Sequence, residues 1–295
     1  MSHSVVDLGD VTVSRLQESY GPATPASVIM PSFDPGVREE FGPDTIAQFV
    51  VPETDEALLS VHTWVIRTPQ KTILVDICNG NHKQRNVAGT AMLDTDWLER
   101  LVAGGVNPEE VDAVVCTHLH LDRVGWNTNL VDGEWVPTFP NARYYINRCE
   151  YEFWNPAATE QAGMQFNGFV FDDSVKPVFD RGLVKLWEGD GCDVDDHLHL
   201  ELRPDHTPGH SVGWLTGAGG TGLFSGDAMH SAVQVYRADW NSGFCLDAEQ
   251  AAATRRSILE AAVERDAVLM PAHFSAPHAF KVKTRGDGFA VVDAL

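Results

Sequence analysis

The chain has 295 residues, with 42 Asp and Glu against 21 Lys and Arg, and a formal charge of −21. A chain this acidic repels polyanions and anionic lipid and shows no basic patch to offset it, so nucleic-acid and membrane partners are excluded. Hydrophobic residues at 43% and charged residues at 21% describe a globular chain with a large core rather than a disordered one.

Residues 1–10 hold Asp7 and Asp10 and no long apolar run, so neither a leader peptide nor a membrane span is expected, and the expected location is the cytoplasm. Cys78, Cys116, Cys149, Cys192 and Cys245 are odd in number, widely spaced and free of any CxxC, which fits reduced thiols rather than a disulfide framework or a thiolate zinc site. Residues 61–77 form two β-rich runs around Pro69-Gln70, a hairpin whose second strand ends at Asp76. Residues 94–103 read as a helix with an Asp-rich start, closed by Gly104-Gly105. The short, apolar, β-branched run 111–117 is a buried strand, and the succession gives an α/β unit. Further on, 197–203 alternates as a strand, 213–216, 222–225 and 268–270 are strands, and 247–265 is a periodic helix. No repeat, low-complexity tract or linker divides the chain, so 1–295 reads as one domain. Two stretches look irregular, namely 21–44 with five prolines and 126–173 with many aromatics and Asn.

The residues with the clearest chemistry follow the strand 111–117. If the chain leaves it still extended, His118, His120 and Asp122 project to one side, and Leu119 and Leu121 to the other. Imidazole nitrogen and carboxylate oxygen are the donors zinc takes in hydrolytic sites, where three protein ligands leave a position for water. Downstream, Asp205-His206-Thr207-Pro208-Gly209-His210, Ser225-Gly226-Asp227 and Pro271-Ala272-His273 each place a His or Asp next to an apolar strand.

In this order HxHxD, TPGH, SGD and PAH resemble the metallo-β-lactamase superfamily, over roughly residues 61–282. The resemblance implies an α/β fold of the αββα sandwich type. It also implies metal ligands: His118, His120 and His210 match a first site, Asp227 a bridging carboxylate, and Asp122 with His273 a second site. The departure is Arg123, where most hydrolases of the superfamily complete HxHxDH with histidine. A guanidinium carries only donors and stays protonated, so it cannot ligate a cation. Three readings remain open. Asp122, Asp227 and His273 still hold a second ion, as in the two-zinc β-lactamases, which are similar in having Arg after the Asp but place Cys where Asp227 stands. Alternatively the arginine repels that ion and one metal suffices, with Asp122 free as a base. In the third reading catalysis is lost. Zinc, as one or two ions, is the implied cofactor, and manganese and iron suit the same donors.

Residues 61–85 and Gly125-Trp126-Asn127 look like the lactonase and organophosphate-hydrolase branch. Type II glyoxalases fit less well, since only 22 residues follow His273. The implied activity is attack of metal-activated water on a lactone, ester or related small molecule. In it Asp122 orients the nucleophile and moves its proton, and His230 either contacts the substrate or supports a ligand. Arg123 is either a lost ligand or a contact for an anionic group. The alternatives are a mononuclear iron dioxygenase of the persulfide type, using His118, His210 and Asp227, and a non-catalytic metal-binding member of the fold.

Asp76 either orients a ligand histidine or caps a turn, and Trp126 either walls the pocket or fills the core. His206 and His278 stand near ligand motifs without matching them. His62, His82, His197 and His199 show no partner pattern, and 197–200 looks like an exposed strand face. Residues 22–43 with Tyr151, Phe153, Trp154, Phe166 and Phe169 form either an apolar entrance suited to acyl chains and aromatic esters or a homodimer interface.

Overall fold

Among the residues described by the computed structural model, 5–157, 165–204 and 206–294, two seven-stranded sheets and one separate hairpin are formed. Asp205 and residues 158–164 of the aromatic-rich stretch lie outside the described residues. The first sheet begins with β1 (Val5–Asp7), β2 (Thr12–Pro25), β3 (Glu56–Arg67), β4 (Thr72–Val75) and β5 (Ala113–Val115), in that spatial order. The hairpin of β6 (Thr128–Val131) and β7 (Glu134–Pro137) stands apart, and β8 (Arg143–Asn147) and β9 (Val184–Trp187) complete the sheet beyond β5. The second sheet runs β10 (Gly191–Asp193), β11 (Leu198–Leu202), β12 (Ser211–Gly217), β13 (Gly220–Phe224), β14 (Val268–Met270), β15 (Phe280–Arg285) and β16 (Gly288–Ala294).

Period-two alternation sorts the central strands between layers. Ile73, Val75, Ala113 and Val115 meet Leu215, Phe224, Val268 and Met270 between the two sheets. The residues in between face outward: Leu74 and Val114 pack with Trp97 and Leu101 of the helix Trp97–Ala103. On the far side, Val212, Leu223 and Leu269 pack with Ile258, Leu259 and Ala262 of the helix Ala248–Glu264. Because β4 and β5 are buried on both faces, they read as continuous apolar runs. Each such side chain contributes about 1.5–3 kcal/mol by leaving water. The layers are therefore helix, sheet, sheet, helix, as the resemblance implies.

The expected hairpin is present, with Trp64 opposite Val75 and Arg67 opposite Thr72. The expected helix and strands of the second half are also found, and His199 is exposed on β11 with its ring on Asp193. The two irregular stretches carry more order than expected. Gly21–Pro25 continues β2, with Gly21 opposite Leu59 and Pro25 opposite Glu56, before three short helices follow. The stretch 126–173 contains β6, β7, the helix Arg148–Trp154, and β8, an interior strand of the first sheet. Its aromatics Tyr144 and Tyr145 belong to that buried strand, and its Asn147 caps the helix by accepting from the Cys149 amide. No helix among the described residues is long and apolar enough to cross a membrane.

Candidate metal centre

β4 and β5 are parallel, as are β13 and β14, and the segments that follow β5, β13 and β14 meet at one edge of the sandwich. Past β5 the chain turns at Arg123, whose amide donates to His120 O at 3.0 Å. Leu119 and Leu121 join the outer apolar layer, and His118 and His120 face the site. Two groups of buried donors result: His118, His120, His206 and Asp227, and Asp227, His230 and His273, each with its ligand atoms within 4.8 Å of one another.

His118 is oriented through its neighbour. Asp76 accepts the Thr117 amide at 2.9 Å and its hydroxyl at 2.8 Å, and Thr117 Oγ1 lies 3.1 Å from His118 Nδ1. With its own hydrogen given to Asp76, the hydroxyl oxygen accepts from Nδ1, which leaves the Nε2 lone pair towards Asp227 Oδ2, 3.6 Å away. Nε2 is buried without a hydrogen-bond partner among the described residues. A buried polar nitrogen in that state is costly unless a cation takes its lone pair, so the donor set fits a metal ion. Asp76 thus acts on the histidine at one remove, through Thr117.

The loop 206–210 supplies the third imidazole, and here the structure differs from the expected pattern. His206 Nε2 lies 2.8 Å from His120 Nδ1 and 3.6 Å from Asp227 Oδ2. His210 stands behind it: Nε2 accepts the Asp227 amide at 3.1 Å, and Nδ1 lies 3.1 Å from Arg203 O. Gly226 makes room for this ring at φ 51°, since a Cβ there would stand 2.6 Å from His210 Nε2.

Asp227 is the hub. Its Oδ2 faces His118, His206, His230 and His273 at 3.6, 3.6, 3.5 and 3.2 Å. Burial opposes its charge, but Arg123, then His273, His118 and His230, hold the carboxyl well below its usual range. Burial pushes His118 and His206 far below the ordinary imidazole value, His120 to about 4 and His230 to about 3. The rings are therefore neutral at pH 7, which is the form that binds a metal.

Arg123 is fully buried inside the cluster. Its Nη2 lies 2.7 Å from Asp227 Oδ1 and 3.1 Å from Asp122 Oδ2, and it bonds to His273 Nε2. Asp122 Oδ2 is also 3.3 Å from His273 Nε2, so Asp122 groups with Arg123 and His273 rather than with His118 and His120. His273 Nδ1 lies 3.2 Å from Ser60 O. Burial works against the guanidinium charge, and Asp122, Asp227 and Asp76 outweigh it, so the side chain stays a cation.

Three buried side chains that the motifs do not reveal hold these loops. Glu150 accepts from the amides of Leu119 and Gly209 at 2.9 and 3.0 Å and from Trp154 Nε1 at 2.7 Å, tying the 118–120 loop to the 206–210 loop. Glu18 accepts from the Asn79 and Gly80 amides and from Trp126 Nε1. Arg255 donates to the carbonyls of Ala228, Ala238 and Trp240, fixing the segment after Asp227. Trp126 stacks on Trp97 at 5.0 Å and is buried, so it fills the core and does not wall the site. That wall is made by Trp154 and Phe166, which pack edge-on against His120. His62, which shows no partner pattern in the sequence, is buried between Ser60 Oγ and Pro271 O. His278 contacts Phe274 O.

Two packed sheets flanked by helices, with a buried His and Asp cluster at one edge that could hold a metal ion, define an αββα protein. The chain belongs to the metallo-beta-lactamase superfamily, whose family model matches residues 57–273. Over 125 residues it is 30% identical to the N-acyl homoserine lactonase AttM of Azorhizobium caulinodans, and over 119 residues 30% identical to AttM of Agrobacterium fabrum. Each match spans 40% of this chain and 40% of the relative, so the chain aligns with about two fifths of the length of these lactonases. Among solved structures, the hydrolase AbOPH superposes with a TM-score of 0.80 at 20% identity, covering 98% of this chain and 96% of that one. AidC, described as a dizinc quorum-quenching lactonase in complex with a product, superposes with a TM-score of 0.77 at 19% identity and the same coverage. At these identities the two structures share the fold.

Proposed function

We propose that the chain is a metal-dependent hydrolase that opens a lactone or ester of a small molecule with water as the nucleophile. The observation that carries this reading is the buried Nε2 of His118, without a hydrogen-bond partner among the described residues and aimed at Asp227 among neutral imidazoles. His118, His120 and Asp227 would hold the ion, with the third imidazole from the 206–210 loop. When bound, zinc, or manganese or iron in its place, supplies Lewis acidity at the scissile carbonyl and hydroxide near neutral pH. Asp122 lies at the mouth with its side chain 16% exposed, and its Oδ2 is engaged by Arg123 and His273. Its Oδ1 is then the atom that takes the proton of the attacking water and returns it to the leaving oxygen. His230, with Nε2 towards Asp227 and Nδ1 buried without a hydrogen-bond partner among the described residues, is the side chain placed to donate to the substrate oxygen.

A cavity of about 120 Å³, lined by Leu119, Trp154, Asn167, Phe169, Phe171 and Asp172, lies beside Trp154, one of the rings packed on His120. The curated relatives are named N-acyl homoserine lactonases, and this class of lactone is the first to assay. The test is ring opening of N-acyl homoserine lactones and hydrolysis of aryl esters and phosphotriesters, each followed with and without added zinc or manganese. Metal-dependent turnover of a lactone or ester supports the reading, and iron-dependent oxygen uptake without hydrolysis overturns it.

A further inference from the structure

We infer that the guanidinium of Arg123 is a built-in replacement for a second metal ion, so that this chain binds a single divalent cation. The inference rests on the hydrolase reading above and concerns the composition of that same site. A single atom carries it. Arg123 Nη2 touches each of the three side chains that a second ion would need: Asp122 Oδ2 at 3.1 Å, Asp227 Oδ1 at 2.7 Å, and His273 Nε2. The two oxygens of Asp227 are thereby divided. Oδ1 is held by the guanidinium, and Oδ2 is the one facing His118, His206 and His230. His273 Nδ1 lies against the Ser60 carbonyl, so the ring turns Nε2 towards Nη2 and Asp227 Oδ2. A guanidinium also presents a fixed cation with directed N–H groups, so it orients two carboxylates and an imidazole as an ion would, without itself exchanging. His230 and His273 remain close to Oδ2, but a separate ion held there would share that oxygen and lie against the arginine. Arg123 is thus a positioning residue: it fixes Asp122 and Asp227 and holds positive charge where a bridging carboxylate would otherwise need a second metal.

The test is zinc stoichiometry. The full chain is equilibrated with excess zinc, freed of unbound ion by gel filtration, and analysed for zinc per chain. The inference expects about one for the wild type and about two for Arg123→His, which restores an imidazole in the same place. His273→Ala should leave the wild-type count at about one and lower the Arg123→His count from about two towards one. This second comparison places the added ion even where activity is lost. Two zinc ions in the wild type, or an Arg123→His protein that stays at one, would overturn the inference while leaving the hydrolase reading intact. A wild-type chain that binds no zinc, manganese or iron would overturn the hydrolase reading and the inference with it. If Arg123→His does not fold, His273→Ala in the wild-type background decides: loss of the zinc would mean that His273 ligates the resident ion and that the guanidinium has replaced nothing.

Discussion

Glu150 Oε1 accepts the Leu119 amide at 2.9 Å while its Oε2 accepts the Gly209 amide at 3.0 Å, so one buried carboxylate spans the two loops that bring the imidazoles together. Burial raises its pKa against the pull of these donors, which is the cost of placing a carboxylate there. Glu150→Ala leaves three buried donors unsatisfied, so a loss of about 2–4 kcal/mol in urea unfolding is expected, with a weaker effect for Glu150→Gln. Unchanged unfolding midpoints in both variants would show that the loops are held by other contacts.

Thr117 links Asp76 to His118. Thr117→Val keeps the shape and removes the hydroxyl, freeing the His118 ring to change tautomer. Metal affinity, measured by competition with a chromogenic chelator, should fall about 10–100-fold with little change in the fold. Equal affinity would mean that packing alone orients His118.

Asp122→Asn retains the shape of the side chain but not its basicity. Turnover should fall by about 10²–10⁴ while zinc content stays at the wild-type level, because Asp122 bonds to Arg123 rather than grouping with His118 and His120. A variant with full turnover would remove Asp122 from the proton path, and one stripped of zinc would make it a ligand.

His62 gives the fold a pH dependence. In the neutral ring Nε2 donates to Pro271 O at 3.2 Å and Nδ1 accepts from Ser60 Oγ at 2.9 Å, so an added proton displaces the Ser60 hydroxyl hydrogen and leaves a buried charge. Burial first, then Arg15, push its pKa well below the ordinary 6.5. Below pH 6.5 the unfolded chain therefore binds a proton that the folded chain refuses. This contribution to stability is full above about 6.5 and is lost as the pH falls towards the folded value. His62→Gln should flatten the stability profile below pH 6.5 by up to about 1.4 kcal/mol per pH unit. Parallel profiles for wild type and variant would contradict this.

The strands legible in the sequence are those buried on both faces, such as β4 with Leu74 and β5 with Val114, and the half-buried β11, which its period-two alternation marks. β2 was not legible, because its outer half is exposed, two register irregularities interrupt its pairing with β3, and three of its last five residues are Gly or Pro. Four of the five expected metal-binding positions other than Asp122 fall in the donor groups: His118, His120, Asp227 and His273. The third imidazole was harder, since His206 and His210 flank one Thr-Pro-Gly turn and only the fold decides which ring faces His120. Chemistry alone shows that Arg123 cannot ligate, but its position among Asp122, Asp227 and His273 depends on the turn at 121–123. Glu150 and Glu18 act through backbone amides far away in sequence, so no local pattern marks them.

The most direct test of the central claim is lactone hydrolysis by the wild-type chain, followed by proton release, as purified, after exhaustive chelation and after zinc is restored, with His118→Ala as the control. The account predicts that turnover disappears on chelation, returns with zinc, and is absent from the variant. Hydrolysis that survives complete metal removal, or persists in His118→Ala, would contradict it.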